Sequence, residues 1–321
     1  MQATSLYQPV QERLDGVVDG LKQMANQRFP LLSQLLDHVF SAPGKRMRPA
    51  ITLLTSNFNP HDETLTETMA TAVEMLHIAT LIHDDTVDDS ALRRGRATVS
   101  NLWGNNAAVL VGDYIFAASA TFVCETGNVR VIKRFAETIM ELSSGELQEM
   151  SDIFNPNQTM EQYFDRIYHK TASLFTTASE SGAVLSGLSE SYVGSLRDYG
   201  YNLGMAFQIV DDILDFDGTE QEIGKPVGSD LAHGILTLPA LKAMERYPNE
   251  NGISELFKHP NDEALLRRAV DMAQDTSILN ECYDVARDFC GKAQSSLMSL
   301  PKNPSRDSLE EIIAYVTTRR V

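Results

Sequence analysis

The sequence predicts an all-α protein, one large bundle of ten or more helices. Apolar residues recur at helical spacing through most of the chain, as in Leu31, Leu32, Leu35, Leu36, Val39 and Phe40. No stretch sustains the strict alternation of a half-buried strand. Leu, Ala, Met and Glu are plentiful while Gly and Pro number only 19 and 12, which favours helix. With 321 residues, 43% of them hydrophobic, the chain can bury a sizeable core. Residues 1–321 are read as a single domain, whose last helices are polar enough for a subsidiary lobe.

The elements follow in order. The leucine-rich face at 31–40 marks an early helix. Val73, Leu76, Ala79, Thr80 and His83 share a face of the helix that enters the segment LIHDDTVDDSALRRGR. Further helices are predicted near 107–124, 129–150, 160–187, 190–216, 237–246, 263–273, 278–299 and 307–319. Breakers punctuate them: PG at 43–44, NP at 59–60, GN at 127–128, NPN at 155–157, DG at 217–218, and PN at 248–249 and 260–261. Segment 107–124 is just long enough for a membrane span, but Gly112 and Asp113 interrupt it. A charge in lipid is costly, so a buried core helix is expected and no transmembrane segment.

Composition excludes some functions. The formal net charge of −17 opposes binding to nucleic acid or anionic lipid. Cys124, Cys282 and Cys290 are odd in number and far apart, which indicates neither a disulfide framework nor a zinc site. A cytoplasmic protein is expected. The opening MQATSLYQPVQERLDG has no basic segment leading into an apolar one, so no signal peptide is expected.

Two copies of D-x-x-x-D spacing carry the chemistry. Asp84, Asp85 and Asp88 form the first and Asp211, Asp212 and Asp215 the second, each after an apolar run (MLHIATLIH and MAFQIV). Residues four apart lie on one helical face, where like charges repel. Carboxylates so placed call for a cation, and oxygen donors without Cys or paired His suit Mg²⁺. Mg²⁺ keeps few protein ligands and completes its shell with waters and phosphates, so a diphosphate is the expected substrate group. Basic residues cluster in a chain with only 27 Lys and Arg: Lys45, Arg46 and Arg48 in PGKRMRPA, Arg93 and Arg94, Lys170 in YHKTASLF, and Lys225 in IGKPVGSDL. Arginine grips phosphate with a two-pronged fork and lysine acts as a point charge.

Together GKRMRP, HDDTVDD…LRRG, GD at 112–113, HKTA at 169–172 and FQIVDDILDF…GKPVGSDL resemble the trans-isoprenyl (polyprenyl) diphosphate synthases, most like the long-chain members. The resemblance runs from about Gly44 to Pro239. It implies the isoprenoid synthase fold, a helical bundle around a central active-site cavity, a homodimer, and head-to-tail condensation of isopentenyl diphosphate with an allylic diphosphate. It implies that Asp84, Asp88 and Asp211 bind Mg²⁺, three ions with substrate bound, with Asp85, Asp212 and Asp215 supporting. Arg93, Lys170 and Lys225 would hold the allylic diphosphate. Lys45, Arg48, His77 and Arg94 would hold isopentenyl diphosphate. Thr171 and Gln208 would face the reacting carbon.

The sequence departs from the family in two places. Many relatives have a second lysine where this chain has Ile235, and Asp89 adds a fourth acid to the first motif. A small Ala79, five residues or about 7.5 Å before Asp84 on a helix, with aliphatic Leu76 and Val73 beyond it, predicts a long product. A short-chain farnesyl or geranylgeranyl synthase is the alternative. A non-catalytic subunit of a heteromeric synthase would have lost aspartates or the arginine pair, and a terpene cyclase would lack the second D-D-x-x-D and the GKRMRP element.

Overall fold

A computed structural model describes residues 6–217, 226–248 and 252–319. Lys225, one of the expected phosphate ligands, lies outside the described residues. The order is a short 3₁₀ turn at Gln8–Val10, then α1 (Gln11–Met24), α2 (Pro30–Phe40), α3 (Met47–Ser56), α4 (Glu63–Val87), a hairpin of β1 (Leu92–Arg93) and β2 (Arg96–Ala97), α5 (Val99–Trp103), α6 (Asn105–Glu125) and α7 (Val129–Asp152). There follow α8 (Met160–Ile167), a π-helical turn at Tyr168–Ala172, α9 (Ser173–Leu185), α10 (Glu190–Asp217), α11 (Ser229–Ala232), α12 (Leu238–Arg246), α13 (Gly252–Lys258), α14 (Glu263–Ala273), α15 (Thr276–Leu297) and α16 (Pro304–Thr318). The all-α expectation holds. The segments marked by periodicity reappear, except that 160–187 is split into α8 and α9 by the π-helical turn; α1, α3, α5, α11 and α13 lie outside them, although Leu14, Val17 and Leu21 of α1 are buried at helical spacing.

The chain gathers into two compact units, each discontinuous in sequence: 1–137 with 177–197 and 299–309, and 138–176 with 198–298 and 310–321. In the first, α4 packs on α1, α3 and α6. Asp62 starts α4 by accepting a hydrogen bond from the Thr64 N–H, a cap worth about 1 kcal/mol. Met69, Ala70, Val73, Leu76, Ala79 and Ile82 of α4 are buried, and Ala79 is fully so. The helix ends at Val87, where Asp89 adopts φ +50° and turns the chain toward the hairpin.

The sequence expects 107–124 as a buried core helix, and α6 corrects this. Ala108, Val111, Gly112, Ile115, Ser119 and Val123 are buried, whereas Val109, Leu110 and Tyr114 are exposed. Only 33% of its most apolar window is buried, although by length and composition it is apolar enough to cross a membrane. Its small residues pack in and its larger ones face out, a distinction that summed hydrophobicity cannot make.

In the second unit α12 packs against α8, α14 and α15, and α13 against α14. A reciprocal cap starts α8: the Thr159 side chain accepts from the Gln162 N–H while Gln162 Oε1 accepts from the Thr159 N–H. Ser173 then donates its N–H to the Tyr168 carbonyl five residues back, one residue further than an α-helix allows. Gly145 and Gly204 border this wide turn. A Cβ on Gly204 would sit 2.6 Å from Ala172 Cα, and one on Gly145 would sit 3.0 Å from the Lys170 nitrogen.

Candidate functional site

Both aspartate motifs lie in the last turns of long helices, α4 and α10. There the helix dipole is negative, so a carboxylate is disfavoured both by the dipole and by its neighbours four residues away. The fold answers with cations. Asp85 is buried and accepts from Arg93 Nε at 2.6 Å. Burial pushes the Asp85 carboxyl up, Arg93 opposes the shift, and Asp88 adds to it. Asp84 is half-buried, whereas Asp88 and Asp89 are exposed.

Two basic motifs meet in the same unit. Arg94 (φ +51°) and Gly95 (φ +74°) form the two-residue turn of the hairpin, in which Arg93 pairs with Arg96 and Leu92 with Ala97. Positive φ at both central residues matches the twist of a tight hairpin, and glycine supplies one of them without strain. The turn sends the arginines different ways. Arg93 reaches back to Asp85, while Arg94 Nη1 donates to the Pro43 carbonyl at 2.8 Å, against the loop that carries Lys45 and Arg46 and leads into Arg48 on α3. Arg46, itself at φ +48°, pairs with buried Glu74 at 2.5 Å and donates to the Ala42 carbonyl. Arg48 Nη1 lies 3.3 Å from His77 Nε2. Arginine only donates, so this ring nitrogen accepts and a neutral His77 carries its proton on Nδ1.

The electrostatics of this group point to an anion. Burial, then Arg48, Arg94, Arg93 and Arg46, hold His77 well below its usual range, so the ring is neutral at pH 7. Arg94 is also lowered, by burial and then by Arg93, while Glu74 resists the shift. Cations crowded until they weaken one another's charged forms gain most from a bound polyanion.

In the second unit, Asp211 is half exposed, with Oδ1 2.7 Å from Arg319 Nη2. Asp212 and Asp215 turn inward and are buried. Asp215 Oδ2 accepts from the Asp230 N–H at 3.1 Å. Asp212 Oδ2 accepts from the Tyr163 hydroxyl at 2.7 Å and Oδ1 from Gln208 Nε2 at 2.8 Å, and Gln208 Oε1 accepts from the Thr171 hydroxyl at 2.7 Å. Burial pushes Asp212 up to about 7 and Asp230 adds to the shift, while the bonds from Tyr163 and Gln208, and Arg166, hold it down.

Lys170 and Thr171 both sit in the π-helical turn. Lys170 Nζ lies 2.5 Å from Glu149 Oε1 and 3.2 Å from Glu146 Oε1. Glu149 is also 3.8 Å from Arg166, which donates to Gln158 Oε1 at 2.7 Å and to the Leu236 carbonyl. The structure thus joins Asp85, His77, Arg48, Arg93 and Arg94 in one group, with the exposed Lys45 on the same loop as Arg46. It joins Thr171, Gln208 and Asp212 in another. Sequence reasoning missed Glu74, Glu146, Glu149, Tyr163 and Arg319. No motif marks them, although the carboxylates at 146 and 149 have the one-turn spacing that lets two acids reach one lysine.

The donors are of the kind a hard divalent cation takes. Among the described residues no three His, Cys, Asp or Glu side chains converge as a protein-only metal cage. In each unit taken by itself, Asp84 and Asp88 in the first and Asp211 in the second, carboxylates without thiolates instead suit a hard cation that keeps waters and phosphate oxygens in its shell.

Comparison with known proteins agrees with this chemistry. A family described as polyprenyl synthetase matches residues 29–273. The chain is 36% identical to solanesyl-diphosphate synthase 2, chloroplastic, of Oryza sativa subsp. japonica, over 98% of this chain and 79% of that protein. It is 34% identical to heptaprenyl diphosphate synthase component 2 of Bacillus subtilis (strain 168), over 100% of this chain and 92% of that one. A solved polyprenyl synthase from Caulobacter crescentus CB15, complexed with calcium and isoprenyl diphosphate, superposes with a TM-score of 0.93 at 33% identity, covering 100% of this chain and 98% of that chain.

Proposed function

The chain belongs to the polyprenyl synthetase family, and from that premise we propose that it is a Mg²⁺-dependent trans-prenyltransferase that condenses isopentenyl diphosphate head to tail with an allylic diphosphate. The observation that carries the reading is the opposed reach of Arg93 and Arg94 from one tight turn: one toward the acidic motif, the other toward the Pro43 carbonyl on the loop that carries Lys45 and Arg46. Two neighbouring cations aimed in different directions suit two diphosphates held separately.

In this reading Asp84, Asp88 and Asp211 hold Mg²⁺, up to three ions with substrate bound, and Asp85, Asp212 and Asp215 back them. The metal supplies positive charge to the departing diphosphate. Arg93, Lys170 and Lys225 grip the allylic diphosphate, and Lys45, Arg48, Arg94 and neutral His77 hold isopentenyl diphosphate. The oxygens of Thr171 and Gln208 face the carbon that becomes electron-poor as its C–O bond breaks, and fixed positioning of the two substrates contributes much of the rate.

A long all-trans product is proposed, because Ala79, Leu76 and Val73 line the buried face of α4 without an aromatic ring. A cytoplasmic homodimer is proposed as well. The outward Val109, Leu110 and Tyr114 of α6 form an apolar face suited to a second copy. The Bacillus relative's name, component 2, supports a heteromer as the second reading. Purified protein incubated with Mg²⁺, farnesyl diphosphate and isopentenyl diphosphate tests the whole: long polyprenyl diphosphate is expected, and absence of any elongation overturns it. Light scattering on the same sample distinguishes the dimer from a monomer.

A further inference from the structure

Tyr163 is fully buried, and no step above uses it. Its ring packs against Phe164 at 5.4 Å between centroids, with the Arg166 guanidinium 5.8 Å from its own centroid. Its hydroxyl opens a chain of hydrogen bonds that ends at the residues assigned to the reacting carbon: Tyr163 to Asp212, Gln208 to Asp212, and Thr171 to Gln208.

The direction of each bond is fixed by what the groups can do. Asp212 accepts from the Tyr163 hydroxyl at Oδ2 and from Gln208 Nε2 at Oδ1, so Gln208 turns its amide nitrogen to Asp212 and its carbonyl oxygen to Thr171. Thr171 then spends its proton on Gln208, which leaves hydroxyl lone pairs, not the proton, for whatever approaches. With the amide reversed, Gln208 Oε1 would face Asp212 Oδ1 oxygen to oxygen, and its NH₂ would face Thr171. The two orientations of a glutamine amide fill nearly the same volume, so packing does not choose between them. Asp212 chooses, and Tyr163 holds Asp212 by occupying its other oxygen.

We propose that Tyr163 is a positioning residue for the condensation: through Asp212 it sets the amide of Gln208 so that oxygen lone pairs, not N–H or O–H protons, face the electron-poor carbon. The proposal rests on the transferase reading, and elongation by the wild-type enzyme under the same conditions tests that reading separately.

The experiment is a double-mutant cycle between Tyr163→Phe and Gln208→Ala. Tyr163→Phe is expected to lower kcat about tenfold while leaving KM for both diphosphates within about twofold, the pattern of an interaction made only in the transition state. In the Gln208→Ala background the same change should have no further effect. Calorimetric binding of Mg²⁺ with inorganic pyrophosphate should be the same in Tyr163→Phe as in wild type. Equal losses in both backgrounds, a loss confined to KM, or weakened metal binding would each overturn the proposal. If Tyr163→Phe does not fold, 3-fluorotyrosine at position 163 replaces it. Its more acidic hydroxyl donates more strongly to Asp212, so a change in kcat is expected in the wild-type background and none in the Gln208→Ala background, and an equal change in both overturns the idea.

Discussion

Arg319 Nη2 lies 2.7 Å from Asp211 Oδ1, and the same guanidinium stacks 3.9 Å from the Phe207 ring centroid and donates to the Phe207 carbonyl at 2.7 Å. A buried arginine therefore neutralises the carboxylate assigned to the metal. Ion and guanidinium compete for one oxygen, so Arg319→Ala should tighten Mg²⁺ binding in the absence of substrate about fivefold, matching about 1 kcal/mol for a partly exposed pair. Calorimetric titration measures it, and an unchanged affinity refutes the competition.

The two carboxylate motifs should be separately indispensable. Asp84→Ala and Asp211→Ala should each reduce turnover by about two orders of magnitude, as loss of a charge stabiliser does. EDTA should abolish wild-type activity and added Mg²⁺ restore it. Near-normal rates in either variant would remove that motif from the site.

Substrate affinities should divide along the hairpin. Arg94→Ala and Lys45→Ala are expected to raise KM for isopentenyl diphosphate by about tenfold, more than for the allylic partner, through lost charge-assisted bonds. Arg93→Ala and Lys225→Ala should do the reverse. Steady-state kinetics varying each substrate in turn decides, and both arginine variants weakening the same substrate alone would contradict the opposed reach of the turn.

His77 gives the fold a pH dependence of known sign. Its folded pKa is lowered, by burial first and by the arginines after, so the unfolded chain binds the proton more readily. Stability from neutral His77 is complete above about pH 6.5 and is lost as pH falls from there toward the folded value. The melting temperature should drop across that window, and His77→Gln should flatten the slope. An identical pH profile in the variant would show that other groups set it.

Chain length should respond to Ala79. This side chain is fully buried on α4, and Ala79→Tyr places a ring one turn before Asp84. Product analysis should find shorter chains with elongation still running. Unchanged length would move the limit elsewhere, and inactivity with an altered melting curve would mean that the ring only disrupts packing.

Helix periodicity and the two aspartate motifs were legible in the sequence because each depends on local spacing. Less legible was whatever depends on which side chain meets which. Residues 107–124 read as core because summed hydrophobicity does not say which face is covered, yet Leu110 is outside. The resemblance divided Arg93 and Arg94 between two diphosphates, but the sequence did not show what separates two neighbouring arginines. Only the left-handed backbone at Arg94 and Gly95 makes them diverge. Tyr163 and Arg319 carry no motif, because a buried hydroxyl or a guanidinium acquires its role from a partner 49 or 108 residues away (212 − 163; 319 − 211).

The π-helical turn at Tyr168–Ala172 makes chain length itself a constraint. One additional residue rotates everything after it by about 100° relative to an unbroken helix. Upstream, Tyr163 and Arg166 face inward; downstream, Phe175 and Thr176 do. Every residue from Thr171 to Ala183 is buried, so the extra residue sets how the turn presents Lys170 to Glu149 and Thr171 to Gln208. Deleting any one of the five would re-phase the helix on one side of the turn against the other and break these pairings, whichever residue was lost. Length is therefore set here as tightly as the identities of Lys170 and Thr171.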